Sequence, residues 1–370
     1  MNRVVFFSGL PKAGKSVTLH GLYKFLVETG QGSRFFLERV HPDQEGNWTA
    51  ESSNGQEVAR GHKNLLKDSN QFWSESFVRF ACMSISGLAN RFPVTLADMG
   101  GIPSQQNREI LGAARSAGAA VEAVILYPAG TDPQEWVDFW TSEGITPTLL
   151  ASQFVGLEYA SEAFEAEKAR LVRAAVCLLG LGSEDPAHGP AHIEAVRRGA
   201  RELALEHAPG LVDVVDEAAR LHDIGNHIDR ETHEVIGAEV VATCPHMQKV
   251  WGQKLGLIVD AIREHRASTG NPQHLVGQIV SDADRLGTPE GSNPLRRSYE
   301  YHLSKEMVED TDTAIRMAGE HIRKKYGPGG KGTRAYFDST RQKIAAVRQP
   351  IIDAVEAGDI SQLKKLAGIS

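Results

Sequence analysis

The pattern of apolar segments changes near residue 158, and this change constrains the fold most. Before it, short apolar runs such as residues 4–7 and "PVTLAD" alternate with helical stretches such as "SVTLHGLYKFLVETG". Strands separated by helices indicate βαβ units and a mainly parallel sheet with helices on both faces. After residue 158 one helical pattern follows another. The sequence therefore predicts an α/β domain followed by an all-α domain.

The same patterns predict the domain boundaries. We expect residues 1–157 to form the α/β domain, 158–183 a connecting helix and linker, and 184–326 the helical domain. Residues 327–370 form a C-terminal helical extension that starts in the glycine-rich "KKYGPGGKGTRAY". A chain of 370 residues is long enough to build two separate cores.

Charge and cysteine usage narrow the class of protein. The net charge of −7 argues against a chain-wide basic surface for duplex nucleic acid, but not against a local basic groove. Cys82, Cys177 and Cys244 lie far apart and are typical of buried thiols in a reducing compartment. The N-terminal apolar run leads into a glycine loop instead of a cleavage site, and no apolar run approaches the length of a bilayer span. We therefore expect a cytoplasmic protein that does not bind membranes.

A phosphate-binding loop is predicted at "GLPKAGKS", residues 9–16, between an apolar strand and a helix. The glycines let backbone N–H groups surround phosphate oxygens, the lysine contacts the β and γ phosphates, and the hydroxyl ligates Mg²⁺. A purely structural glycine turn is the alternative. The motif predicts that ATP·Mg²⁺ is bound by Gly9, Lys12, Ala13, Gly14, Lys15, Ser16 and Val17, with Lys15 also acting in catalysis.

Acidic residues after two neighbouring strands complete the predicted nucleotide site. Asp98 follows "PVTLA" and is expected to hold the Mg²⁺ together with Ser16. The alternative is a turn residue at the end of a strand. Asp43 in "ERVHPDQEGNW" is a candidate catalytic base toward an acceptor hydroxyl, as is Glu45, although an Asx or glycine turn is at least as good an interpretation. Arg108 is a further candidate for phosphate contact, or a solvated helix charge.

A second set of candidate residues lies in the helical half. In "AARLHDIGNHIDRETH", residues 218–233, an apolar helix ends on the adjacent pair His222-Asp223. Helical periodicity turns further imidazoles and a carboxylate toward apolar interiors, namely His192, His233, His265 and Asp284. A single buried histidine is more often a satisfied core residue, but so many converging polar groups need a common partner. A bound cation would supply it.

The order of these residues carries a resemblance. His192, then His222-Asp223, then Asp284 in "DADRL" resembles the H…HD…D pattern of the HD-domain metal-dependent phosphohydrolases, over about residues 180–325. The resemblance implies that these four residues hold one divalent ion, and that His233 and His265 bind a second ion, as in dinuclear members. Asp282 competes with Asp284 for the last position, and the following Arg-Leu favours Asp284.

The ligand set also indicates the chemistry. Nitrogen and oxygen ligands without thiolate favour one or two Mn²⁺, Fe, Co²⁺ or Ni²⁺ ions over structural zinc. Such ions activate water and neutralise phosphoryl charge, and Asp223 is the predicted catalytic residue that bridges two ions or orients the water. A cyclic-di-GMP specialist is disfavoured because no Gly-Tyr-Pro signature follows, and a di-iron oxygenase is a minor alternative. Candidates for phosphate contact, or else surface side chains, are His188, His227, Glu264, Arg266 and Arg285.

The N-terminal half has its own resemblance. "HPDQEGNW" together with "LADMGGIPS" resembles the P-loop domain fused to some CRISPR-associated ring-nuclease proteins, over about residues 1–155, although the ring-nuclease domain is absent here. The combination of modules also resembles, in reversed order, bacterial RNA end-healing enzymes that join a polynucleotide kinase to an HD phosphoesterase.

These observations predict a bifunctional, homo-oligomeric enzyme. An ATP-dependent phosphotransferase or ATPase site would accompany a metal-dependent phosphohydrolase site, and both would act on nucleotides, oligonucleotides, or the ends of RNA or single-stranded nucleic acid. The alternative is an HD phosphohydrolase of nucleotides or cyclic oligonucleotides that a non-kinase P-loop ATPase regulates, with a role in defence. Transfer of phosphate from ATP to a hydroxyl acceptor would distinguish the two.

Overall fold

The computed structural model describes residues 2–10, 12–28, 35–36, 39–42, 48–51, 75–91, 94–99, 102–181, 188–266, 269–286, 293–305, 308, 310–330 and 333–369. The chain divides into two compact units. The first is Met1–Gly182 with Cys244–His246, and the second is Ser183–Thr243 with Met247–Ser370.

The first unit contains a five-stranded parallel sheet. The strands of the described chain are β1 (Arg3–Gly9), β2 (Phe35–Phe36), β3 (Arg39–Pro42), β4 (Trp48–Glu51), β5 (Val94–Asp98), β6 (Ala120–Pro128) and β7 (Thr148–Ser152). The order in the main sheet is β2-β5-β1-β6-β7, and β3 and β4 form a separate antiparallel pair. Every neighbouring pair in the main sheet is parallel, which confirms the predicted α/β character. β1 is nearly all apolar and buried, as expected for a central parallel strand.

Five helices of the described chain accompany this sheet. They are α1 (Lys15–Glu28), α2 (Glu75–Arg91), α3 (Gln105–Ser116), α4 (Gln134–Ser142) and α5 (Glu162–Leu179). The aromatic residues of α4 fill the core, where Trp140 packs on Phe6 and donates a hydrogen bond from Nε1 to Ser8 Oγ at 2.9 Å. This bond satisfies the indole N–H at a fully buried position. α5, in the segment predicted to connect the domains, packs on α1 and β7.

From residue 188 onward the described chain contains helices and no strand, which confirms the predicted helical second half. The helices are α6 (Pro190–His207), α7 (Val212–Leu221), α8 (His233–Ala242), α9 (Pro245–Trp251), α10 (Leu255–Glu264), α11 (Leu275–Leu286), α12 (Pro294–Lys305), α13 (Thr311–Tyr326), α14 (Asp338–Glu356) and α15 (Ile360–Ala367).

Two groups of these helices build the second unit. In one group α6, α7, α10 and α11 pack against one another, and α8 packs on α10. In the other, α12 to α15 share a separate apolar core that includes Leu295, Ile315, Ile344 and Ile351. The two groups meet where α11 packs on α14. No helix of the described residues is both long and apolar enough to cross a bilayer.

Candidate metal centre

Helix ends place the candidate ligands in one region of the second unit. His192 lies in the first turn of α6, which begins at Pro190, a residue suited to the first helical position. His222 and His265 directly follow α7 and α10, and His233 is the first residue of α8. Ligands at helix ends can approach one another more closely than helix axes do, since helix axes are held apart by about 8–10 Å.

A glycine brings the segment after α7 against α8. A short 3₁₀ turn, Ile224–His227, follows Asp223. A Cβ atom added at Gly225 would lie 2.1 Å from the backbone oxygen of His233, so no other residue fits without a shift of the backbone. This close approach places Asp223 beside His233.

Asp223 lies at the middle of the cluster, and its two carboxylate oxygens face different pairs of imidazoles. Oδ2 is 3.1 Å from His222 Nε2 and 3.4 Å from His192 Nε2. Oδ1 is 3.3 Å from His233 Nε2 and 3.6 Å from His265 Nε2, and these two nitrogens are 3.2 Å apart. One buried carboxylate therefore joins two sets of nitrogen atoms.

Asp284 belongs to the first of these sets. Its Oδ1 lies 3.2 Å from His192 Nε2 and 3.8 Å from His222 Nε2. The Asp284 side chain is 26% exposed, whereas the four imidazoles and Asp223 are buried. Asp284 thus lies on the side of the cluster that is open to solvent.

Backbone carbonyls orient three of the imidazole rings. The Nδ1 atoms of His222, His233 and His265 lie 2.7–2.8 Å from the backbone oxygen three residues earlier in the chain. A carbonyl oxygen can only accept, so each Nδ1 must donate its proton and Nε2 faces the cluster. This second hydrogen bond is the one that usually orients a metal-ligating histidine.

The ligand atoms fit a divalent cation. Two atoms bound to one ion at about 2.0–2.2 Å, with angles between about 90° and 110°, lie about 2.8–3.6 Å apart. Three separations in the first set fall in this range, at 3.1, 3.2 and 3.4 Å, and that between His222 Nε2 and Asp284 Oδ1 is slightly longer, at 3.8 Å. His192 Nε2, His222 Nε2 and Asp223 Oδ2 are buried without a hydrogen bond of acceptable geometry to the described residues. A shared cation would satisfy all three atoms.

The charges of the cluster also favour a bound cation. Burial lowers the pKa of His222, but the carboxylates of Asp223 and Asp284 outweigh burial and raise that pKa to about 9. Burial raises the pKa of each carboxyl group, but neighbouring imidazoles hold both well below the usual range. Imidazole protons balance the carboxylates here, and a cation would replace them.

The fold and these residues describe a helical domain with a group of side chains that could hold a metal ion. Residues 191–288 match the family model described as the HD domain, and this match supports a metal-dependent hydrolase. The chain matches no curated protein and no solved structure at a significant level.

Other predicted residues of this half have different surroundings. Asp282 lies away from the imidazoles, because its carboxylate accepts hydrogen bonds at 3.0 Å from the backbone N–H groups of Tyr336 and Phe337. His188 packs edge-on against His192 with ring centroids 5.6 Å apart. Arg266 donates to the backbone oxygen of Glu231 at 2.6 Å.

The structure brings together part of the predicted nucleotide site in the first unit. The loop after β1 has left-handed backbone at Gly9, Lys12 and Gly14, with φ of 149°, 64° and 72°. Lys15 opens α1, and its Nζ lies 2.9 Å from Asp98 Oδ1. Asp98 ends β5, where it pairs in register with Phe7 of β1.

The structure describes some of the other residues predicted for the first unit. Ala13, between Lys12 and Gly14 in the same loop, is buried, and Val17 lies in the first turn of α1. Asp43, Glu45 and the Ser16 side chain lie outside the described residues. Arg108 and Arg115 both pair with Glu143, at 2.9 and 3.0 Å.

Sequence reasoning missed Arg297 and Arg348, which lie in the C-terminal group of helices. Arg348 is buried, with 3% of its surface exposed. One signal was available, because Ile344, Arg348 and Ile351 follow the i, i+4, i+7 spacing of an apolar helix face. An arginine on such a face needs a buried partner or ligand.

Proposed function

We propose that the second unit hydrolyses phosphoesters of nucleotides or nucleic acids with two divalent ions held on either side of Asp223. The observation that carries this proposal is the division of the Asp223 oxygens between two imidazole pairs. His192, His222 and Asp284 would hold one ion with Oδ2, and His233 and His265 would hold the other with Oδ1.

The chemistry follows from these ligands. Divalent ions bound there would lower the pKa of water to provide a nucleophile and would neutralise charge on the phosphoryl group. The protein's own contribution is orientation. Backbone carbonyls hold three imidazoles in one tautomer, and burial excludes bulk water around them. The partial exposure of Asp284 supports substrate entry on that side.

The first unit would bind ATP·Mg²⁺ at residues 9–16. The strand, loop and helix context and the nearby Asp98 support this assignment. Lys15 would exchange its contact with Asp98 for the nucleotide phosphates, while Asp98 and Ser16 would ligate Mg²⁺. Asp43 is the proposed base toward an acceptor hydroxyl. Together the sites would form a bifunctional enzyme that modifies the ends of RNA or DNA.

The hydrolase is tested by activity and metal content together. Purified protein with Mn²⁺ or Co²⁺ should cleave at least one member of a panel of mononucleotides, cyclic nucleotides and end-phosphorylated oligonucleotides. Asp223→Ala should lose both the activity and the metal found by elemental analysis. Asp213→Ala, which changes an exposed residue of α7, is the matched control. Metal retained in full by folded Asp223→Ala would contradict the ligand assignment.

The ATP site is tested separately. Lys15→Ala should weaken ATP binding in calorimetry, whereas Lys24→Ala, which changes an exposed lysine of the same helix, should not. Transfer of the γ-phosphate of ATP to an oligonucleotide hydroxyl would support a kinase. If no transfer occurs and ATP instead changes the rate of the metal-dependent hydrolysis, the first unit is a regulator.

A further inference from the structure

Arg348 is buried on α14 with two of its guanidinium nitrogens unused. Its Nη2 donates to the backbone oxygen of Arg285 at 2.8 Å. Nε and Nη1 are buried and have no hydrogen-bond partner among the described residues. The guanidinium carbon lies 4.6 Å from the ring centroid of Tyr326, so the group is held in place on one face.

Arg285 on α11 is in a similar position. It is 4% exposed, and its Nη2 donates to Ser281 Oγ at 2.9 Å. Its Nη1 lies 3.6 Å from the Asp282 carboxylate, which supplies a counter-charge. Nε and Nη1 still lack hydrogen bonds to the described residues, because the Asp282 oxygens accept the backbone N–H groups of Tyr336 and Phe337.

Arg297 on α12 interacts electrostatically with the same region. Burial lowers the pKa of Arg297 and the charge of Arg348 lowers it further, while Asp284 and Asp223 act in the opposite direction. Burial raises the pKa of the Tyr326 phenol, but the charges of Lys325 and Arg348, together with a hydrogen bond from Arg348, outweigh burial and lower it.

The buried Nε and Nη1 donors of Arg285 and Arg348 are unfavourable without an acceptor, and no acceptor among the described residues bonds them. Arginine does not lose its proton in proteins, so it cannot become neutral as a buried lysine does. Buried N–H groups of a charged side chain therefore favour a bound anion. Unused N–H donors in fork geometry suit the oxygens of a phosphate group.

We propose that Arg285, which directly follows the candidate ligand Asp284, and Arg348 form an anion subsite next to the metal centre that binds a phosphate group of the substrate. This inference rests on the proposed phosphohydrolase function and deepens it. Arg348 lies in the C-terminal helices, outside the HD-domain match, so this part of the subsite belongs to this chain's own extension. The substrate class is a phosphoester that carries a second phosphate group in addition to the one that is hydrolysed.

Binding of inorganic phosphate to the metal-free protein tests the subsite without reference to catalysis. Calorimetric titration in EDTA at constant ionic strength should show saturable binding to the wild type. Arg348→Met should weaken it about tenfold to a hundredfold, the loss expected for charge-assisted hydrogen bonds. Arg341→Met, on the exposed face of the same helix, should bind as the wild type does. Wild-type protein without saturable phosphate binding would overturn the proposal.

A second variant tests the subsite if circular dichroism shows that Arg348→Met does not fold. Arg285→Met changes the other arginine of the subsite and should show the same loss of phosphate affinity. Phosphate binding unchanged in every folded variant at these two positions would also overturn the subsite. Arginine-dependent phosphate binding without any metal-dependent hydrolysis would reject the proposed function but not the subsite. Metal-dependent hydrolysis without arginine-dependent phosphate binding would reject the subsite but not the proposed function.

The substrate class is tested with a matched pair of substrates. A cleavable dinucleotide with a 5′-phosphate should have a lower KM than the same dinucleotide without it. Arg348→Met should remove that difference, because the second phosphate loses its partner, and Arg341→Met should preserve it. Equal KM values for the two substrates with the wild type would contradict the assigned class.

Discussion

His222 gives the metal-free protein a pH dependence that a cation should abolish. The ring is fully buried, and burial alone would lower its pKa, but Asp223 and Asp284 raise the pKa to about 9. In the unfolded chain the imidazole titrates at about 6.5. Because the folded pKa is the higher one, the contribution to stability is complete below pH of about 6.5 and is lost as the pH rises through about 9.

The expected loss of unfolding free energy follows from the pKa of His222 in the unfolded chain and in the folded protein. A change from about 6.5 to about 9 corresponds to about 3 kcal/mol, at about 1.4 kcal/mol per unit. The free energy of unfolding, measured by urea denaturation in EDTA, should fall by about this amount over that pH interval. His233 contributes as well, because burial lowers its pKa but Asp223 outweighs burial and raises it. His222→Gln therefore serves as the reference, and the difference between the two curves isolates the imidazole.

A divalent cation would take the place of the imidazole proton. With excess Mn²⁺ the stability should persist up to the highest pH of the series, and the Mn²⁺ affinity should rise with pH, because metal and proton compete for Nε2 of His222. Metal-free stability that stays constant or increases between the two pKa values would refute this charge balance. A wild-type curve parallel to that of His222→Gln would refute it as well.

Three further predictions concern positions around the two sites. Asp282→Ala should lower the free energy of unfolding by about 1–3 kcal/mol, because two partly buried backbone N–H groups lose their acceptor; an unchanged urea midpoint would contradict this. Gly225→Ala should weaken metal binding in calorimetry, since the added Cβ displaces the backbone next to His233, whereas wild-type affinity would argue against that close approach. Asp98→Ala should weaken ATP binding when Mg²⁺ is present but not in EDTA, where Lys15 is released from its carboxylate; equal losses in both titrations would argue against an Mg²⁺ role.

The sequence predicts the six candidate ligands that the structure brings together, because these polar residues interrupt or end apolar helix faces. His222-Asp223 ends such a face, and His192 and Asp284 lie on others. The change from alternating strands and helices to helices alone likewise follows from apolar periodicity, which the long elements obey. Local patterns of this kind depend only on neighbours in the chain, so they can be identified without a structure.

Apolar periodicity does not show that Asp284 faces the imidazoles while Asp282 accepts hydrogen bonds from the backbone of Tyr336. Residues that are two positions apart on an α-helix are rotated by about 200° about its axis, so the two carboxylates face nearly opposite directions. Both directions lead into protein, one toward the imidazoles and one toward the backbone of Tyr336. Which face meets the metal centre depends on how α11 packs between two groups of helices, and periodicity contains no such information.

The arginine subsite and the metal centre also depend on each other through charge. The two carboxylates of the centre, Asp223 and Asp284, would only half balance two divalent ions, and Arg297 adds positive charge within reach of both carboxylates. Metal loading therefore increases the positive potential that Arg285 and Arg348 already produce. An anion that contacts both regions relieves this excess, so phosphate groups should bind more tightly when the metals are present than in EDTA. The same buried charges would thus favour a phosphorylated substrate.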